Sequence, residues 1–257
     1  MKLAFSTLPV QALDADKLAD LADRHDMAVE PRAASDGTFP VSARLCVTDV
    51  GSGICLRGFD EAQISDARAF LERVRDAGLP AVRVFLGNFR MKWEMPARPL
   101  DEEGCVRAVR ALCEVGPAIW IETHNEYATA ASLVPFLKKV DRPNVGVIWD
   151  VIHPIEDGET PAETWGQLKP WIRHLHIKDG IPHPDPDYHD WYYTRLGEGR
   201  LPVGEIVRML LSDGYDGYFS LEWESAWRPE LAGLCDDPDA LLADYARYMD
   251  RLVTDKR

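Results

Sequence analysis

The chain contains no run of about 18 apolar residues, so no part of it reads as a membrane-spanning helix. No CxxC pair occurs, and the five cysteines (Cys46, Cys55, Cys105, Cys113 and Cys235) are scattered and odd in number. That excludes a paired disulfide framework and suits free thiols in a reducing cytoplasm. A glycine-rich phosphate loop is also missing, so no nucleotide cofactor is expected. Basic residues are in deficit: 29 Lys and Arg stand against 43 Asp and Glu, a formal net charge of −14. A nucleic-acid partner needs a basic surface and is not expected here, whereas an acidic protein attracts cations. The opening Met1-Lys2-Leu3-Ala4-Phe5-Ser6 enters a strand pattern at once, without the charged and then long apolar regions of a secretory signal. No linker rich in Gly, Pro or Ser divides the sequence, so residues 1–257 are expected to form one domain.

What is present is an alternation of short apolar runs with longer amphipathic stretches. The runs Lys2–Thr7, Met27–Pro31, Arg44–Thr48, Ala81–Leu86, Ala118–Glu122, Gly146–Asp150, Ile172–Ile177 and Tyr218–Glu222 read as buried strands. Between them, Ala15–His25, Glu61–Ala77, Glu102–Val115, Ala131–Lys139, Pro161–Leu168 and Val203–Asp213 carry apolar residues three and four apart, as helices do. Pro238–Thr254 reads as a closing helix. Strands alternating with helices predict a parallel sheet covered by helices, and a count of eight favours a closed α/β (β/α)8 TIM barrel, a fold of about 250 residues. The longest irregular stretch, Gly180–Arg200, follows the seventh strand and is long enough to cover a substrate.

Four of these strands carry a polar residue at or one position before their end: Glu122 in AIWIE, Asp150 in VGVIWD, His176 in IRHLHI and Glu222 in YFSLE. Polar groups at the C-terminal ends of successive parallel strands converge on one spot. Any one of the three carboxylates alone reads equally as a salt bridge or a helix cap. Together, three carboxylates and an imidazole make a divalent-metal site, better suited to Mn²⁺, Mg²⁺ or Co²⁺ than to structural Zn²⁺, which favours cysteine. His124, His153, Lys178, Asp179 and Glu224 lie within a few residues of these four and are candidates to surround the site, while His174, deeper in its strand, reads as a hydrogen-bonded core histidine. Arg195 in the cover loop, and Arg83 on the fourth strand, are candidates to bind an acidic substrate group. Trp93, Trp149, Trp191, Trp223 and Trp227 lie near strand ends or loops, where indole faces can stack on sugars. His25, His183 and His189 read as surface residues.

These residues in this order resemble the xylose isomerase-like TIM barrels, the sugar phosphate isomerase/epimerase superfamily. The Glu–Asp–His–Glu set maps onto Glu122, Asp150, His176 and Glu222, and an Asp-x-x-His element onto Asp150 and His153. A late signature maps onto Leu196-Gly197-Glu198-Gly199, Gly214-Tyr215-Asp216-Gly217 and Ser220-Leu221-Glu222. The resemblance implies a metal-dependent isomerase or epimerase of a keto-sugar or sugar phosphate, working by α-proton abstraction and a metal-stabilised enediolate, with Mn²⁺ first and Mg²⁺, Co²⁺ or Zn²⁺ as alternatives. It casts Glu122 and Glu222 as the acid/base pair, and has His153 and Lys178 hold substrate oxygens. His124, two residues after Glu122, matches the base of the dehydratase branch and implies the alternative, a lyase of a keto-polyol or dehydroshikimate-like substrate. The endonuclease branch is argued against, because the one histidine before residue 124, His25, sits at a helix end. The expected partner is a small sugar or polyol, with a homodimer as the default assembly.

Overall fold

The structure is a computed structural model that describes residues 1–88, 99–185 and 190–254. Ten strands are present among them: β1 (Lys2–Ser6), β2 (Ala28–Glu30), β3 (Val50–Leu56), β4 (Ala81–Leu86), β5 (Ala118–Glu122), β6 (Val145–Asp150), β7 (Ile172–Ile177), β8 (Asp179–Ile181), β9 (Tyr192–Thr194) and β10 (Tyr218–Leu221). The helices are α1 (Ala15–His25), α2 (Glu61–Asp76), α3 (Glu102–Cys113), α4 (Ala130–Val140), α5 (His153–Glu156), α6 (Pro161–Leu168), α7 (Val203–Ser212) and α8 (Pro238–Thr254). Eight strands form one parallel sheet in the order β2-β1-β10-β7-β6-β5-β4-β3. Its two ends approach each other: Val29 bridges Val47, Arg32 bridges Gly51, and Gly51 donates its N–H to the Pro31 carbonyl at 2.9 Å. The strands therefore curl into the α/β TIM barrel that the alternating pattern predicts.

Local chemistry sets the element ends. Asp14, Asp60 and Asp101 accept from backbone N–H groups at the starts of α1, α2 and α3, and Thr160 with Glu163 forms a capping box on α6. Part of the acidic excess thus serves helix dipoles. The apolar faces of the helices, such as Ile64, Ala67, Leu71 and Val74 on α2, bury against the outer side of the sheet. Among the described residues no helix is long and apolar enough to cross a membrane.

The third strand corrects the sequence reading. Residues 44–48, expected as a strand, contribute only the Val29–Val47 bridge, and the strand is Val50–Leu56. Its run VGSGICL is weakened as a strand signal by two glycines. Gly51 is required there, since a Cβ would come within 2.6 Å of Arg32 Cδ and 2.9 Å of Glu30 Oε1, and the register with β4 shifts between Gly51 and Cys55. The cover stretch also carries regular structure among its described residues. It begins as an antiparallel hairpin of β8 and β9, pairing Gly180 with Tyr193.

The parallel register puts the chemistry at one end. Asp150 pairs with His176, Ser6 with Glu30, and Leu221, which precedes Glu222, with Ile177. Strand ends from β2, β5, β6, β7 and β10 therefore deliver Glu30, Glu122, Asp150, His176 and Glu222 to the C-terminal mouth.

Candidate metal centre and active site

Glu122, Asp150, His176 and Glu222 are buried, and one ligand atom from each lies within 4.8 Å of all the others. His176 organises the group. Its Nε2 meets Glu30 Oε2 at 2.8 Å, while Nδ1 faces Glu222 Oε2 at 3.3 Å, Glu122 Oε2 at 3.7 Å and Asp150 Oδ2 at 3.9 Å. Among the described residues Nδ1 has no hydrogen-bond partner. With Nε2–H donated to Glu30, a neutral imidazole would aim the Nδ1 lone pair at three carboxylates. That arrangement calls for a cation, either a proton or a metal. The donor set, three carboxylates and one imidazole held by an outer carboxylate, fits a divalent ion.

Three side-chain cations already share these carboxylates. Arg83 Nη1 donates to Glu122 Oε2 at 2.9 Å, and Arg32 Nη2 donates to Glu222. Lys178 Nζ sits 2.6 Å from Asp150 Oδ2, 2.5 Å from Glu222 Oε2 and 2.7 Å from Glu224 Oε1. Charges so deeply buried must be paired, because desolvation of a bare one is prohibitive.

The protonation states without metal follow from these contacts. Burial disfavours charge on His176, but Glu222, Glu30 and Glu122 outweigh it and hold the imidazolium well above its usual range. Burial and the neighbouring Glu222 push Glu122 up to about 8. Burial acts upward on Glu222 too, yet His176, Lys178 and Arg32 hold it well below the carboxylate range. Burial opposes charge on His153, but Asp150 and Glu156 raise it to about 9. His124 goes the other way: burial, then His153, holds it well below the usual imidazole range, so it is neutral.

His124 and His153 pack against each other beside the cluster, with ring centroids 4.2 Å apart and planes inclined by 55°. Both are tied outward at Nδ1. His124 Nδ1 meets Asn125 Oδ1 at 2.7 Å, and His153 Nδ1 meets Glu156 Oε2 at 2.7 Å. His153 Nε2 lies 3.6 Å from Asp150 Oδ2, and Glu122, His124 and His153 offer ligand atoms within 4.8 Å of one another. Glu156 also accepts the Trp191 backbone N–H at 2.7 Å, joining the cover hairpin to His153. On β9, Tyr193 lies beneath Lys178 and Arg228, 5.2 and 4.2 Å from its ring centre.

The sequence-derived candidates thus divide. Glu122, Asp150, His176 and Glu222 converge, with His124, His153, Lys178 and Glu224 around them. Two of the substrate-binding candidates, Asp179 and Arg195, have backbone partners away from the cluster. Asp179 is consumed by backbone: its oxygens accept from Gly180 N, Gly197 N, Gly199 N and Leu201 N at 2.8–3.1 Å, which fixes the Leu196–Gly199 turn. Arg195 is exposed and donates to the Leu234 carbonyl, lining a separate cavity against α8 with Tyr245 and Tyr248. Arg83 does reach the site, although its partner there is Glu122. Of the tryptophans, Trp149 is core, Trp223 is buried beside Glu222 and Trp227 is exposed; Trp93 and His189 lie outside the described residues. His174 is the core histidine expected, 3.3 Å from Glu30 Oε2.

Sequence reasoning misses Glu30, Arg32, Asn125 and Glu156. Glu30 ends β2 as Glu122 ends β5, so the same strand-end rule finds it. Arg32, Asn125 and Glu156 carry no such signal.

The chain is thus a parallel α/β barrel with a three-carboxylate, one-histidine cluster at its C-terminal mouth whose atoms could hold a metal ion. The sequence matches the xylose isomerase-like TIM barrel family over residues 7–252, and the chain belongs to that family. Among curated relatives, it is 34% identical over 104 residues to 3-dehydroshikimate dehydratase of Bacillus anthracis, covering 38% of this chain and 36% of that one. It is 29% identical over 98 residues to fructoselysine 3-epimerase of Escherichia coli O157:H7, covering 38% and 34%. These matches span about a third of the relatives' length. The fold is similar to that of the IOLI protein solved with a bound zinc atom, with a TM-score of 0.71 at 17% identity over 99% of this chain and 98% of that one.

Proposed function

We propose that this protein is a divalent-metal-dependent enzyme that removes the proton α to the carbonyl of a keto-sugar or keto-polyol. Glu122, Asp150, His176 and Glu222 would hold the ion, with Mn²⁺ the first choice and Mg²⁺, Co²⁺ or Zn²⁺ the alternatives. When bound, it supplies Lewis-acid polarisation of the carbonyl. The observation that carries the reading is the pair of histidines beside the cluster, His124 and His153, whose ring centroids lie 4.2 Å apart and which offer ligand atoms within 4.8 Å of Glu122.

Elimination is the outcome this geometry supports best. His124 takes the α-proton, the electron pair left on that carbon forms the new double bond, and the β-oxygen departs as water with a proton from His153. Lys178 and Glu224 orient the substrate oxygens. Its similarity to a dehydratase over part of the chain supports this reading. Isomerisation or epimerisation, the first reading from sequence, retains its own support. Glu122 and Glu222 both lie within 4 Å of His176 Nδ1, so two carboxylates stand together at the barrel mouth as acid/base candidates. Against it stands the saturation of Glu222 by Arg32 and Lys178, which makes that carboxylate a weak base. Similarity to a 3-epimerase supports it.

The test is proton exchange in D₂O. Metal-stripped protein is reloaded with Mn²⁺ and incubated with 3-dehydroshikimate, a panel of ketoses and inososes, and the products are read by NMR. Loss of water with a new alkene signal is expected. Deuterium α to the carbonyl with all oxygens retained would assign an isomerase or epimerase instead. Absence of metal-dependent exchange across the panel would refute both.

A further inference from the structure

We propose that Asn125 is a positioning residue that fixes His124 as its Nδ1–H tautomer and so presents the basic lone pair at Nε2. This deepens the reading of His124 as the base and rests on it.

The argument starts from the one unambiguous acceptor in the chain of contacts. A backbone carbonyl can only accept, so the Asn125 side-chain nitrogen, 2.8 Å from Leu86 O, must be the amide group that faces it. Turning the amide over would set oxygen against oxygen, so the orientation is decided by Leu86 and not by convention. Asn125 Oδ1 then points at His124 Nδ1, 2.7 Å away, and an amide oxygen has only lone pairs to offer. The proton of that contact belongs to Nδ1. In the neutral ring the remaining nitrogen, Nε2, carries the lone pair that accepts a proton.

The anchor is rigid. Leu86 is a buried residue at the end of β4, and the following Gly87 donates to Leu56 O at 2.9 Å. Glu126 accepts from Asn88 N at 2.7 Å, closing the same two segments together. Asn125 has φ +56°, a left-handed conformation that asparagine tolerates better than most residues. The turn after β5 thus brings His124 and its orienting amide out of one strand end together.

The experiment uses the full chain loaded with Mg²⁺, which is diamagnetic, and ¹⁵N-histidine labelling. H124Q identifies the His124 resonances by their loss. N125G removes the amide without opposing the positive φ. The wild type should show His124 protonated at Nδ1 and unprotonated at Nε2. N125G should shift it toward the Nε2–H tautomer that free histidine prefers. With 3-dehydroshikimate as probe, kcat for exchange should fall about 10- to 100-fold in N125G at little changed KM. An Nε2–H tautomer in the wild type, or an N125G spectrum identical to wild type, would overturn the assignment. Full exchange in H124Q alongside an Nδ1–H wild-type spectrum would instead remove the base reading and leave the role of Asn125 standing.

Discussion

Removing the Glu30 carboxylate tests whether the cluster is a metal centre. Glu30 is fully buried and accepts from His176 Nε2 at 2.8 Å, with His174 Nε2 at 3.3 Å on the same oxygen. Burial, then His176 and the two histidine hydrogen bonds, act on this carboxyl; the histidines win and hold it below the usual carboxylate range. It is therefore a charged acceptor that makes His176 a better donor at Nδ1. Outer carboxylates of this kind are worth about 10- to 100-fold in metal affinity, or about 1.4–2.7 kcal/mol. No solvent reaches Glu30 to take its place, so E30A should lie at the upper end, about 100-fold. E30Q keeps an acceptor but not the charge and should lose about tenfold. Mn²⁺ titration of the metal-stripped protein by calorimetry reads both, with circular dichroism as the check on folding. A folded E30A that binds Mn²⁺ within twofold of wild type would refute the idea that Glu30 orients a ligand.

Metal loading near pH 7 should release about two protons per ion, because the carboxylates hold His176 charged and Glu122 near 8 until the ion replaces both protons. Affinity should accordingly rise as pH is raised toward 8, and calorimetry in buffers of different ionisation enthalpy counts the protons; no release would mean the ion sits elsewhere. H124Q should lower substrate exchange about 10²- to 10⁴-fold while leaving Mn²⁺ affinity unchanged, read by NMR and by metal titration on the same sample. D179A strands four backbone N–H groups and should cost about 2–4 kcal/mol, a fall of about 5–15 °C in Tm by calorimetry, with D179N milder. Gly51→Ala should displace Arg32 from Glu222, since the new methyl overlaps the Arg32 side chain; a crystal structure with the Arg32–Glu222 pair intact would contradict this.

Much of the barrel is legible in the sequence because its rules are local. Apolar runs followed by amphipathic stretches mark seven of the eight barrel strands and the main helices, and a polar residue ending a parallel strand has one place to go, the C-terminal mouth. That is why Glu122, Asp150, His176 and Glu222 group together from their positions in the sequence alone. The third strand is misplaced because its two glycines, of which Gly51 makes room for Arg32 and Glu30, weaken the strand signal. Glu30 obeys the strand-end rule but sits on a strand of only three residues before Pro31.

By itself, then, the order of residues determined the fold and the identity of the four converging groups, since both follow from periodicity and from the common direction of the strands. The tertiary structure decided everything that depends on reach between distant segments. Arg32 meets a carboxylate 190 positions away, Asn125 sets the tautomer of His124 by gripping a carbonyl on β4, and Asp179 and Arg195 turn away to backbone partners. Which partner a long or forked side chain finds is fixed by packing and desolvation in three dimensions, and neither leaves a period in the sequence.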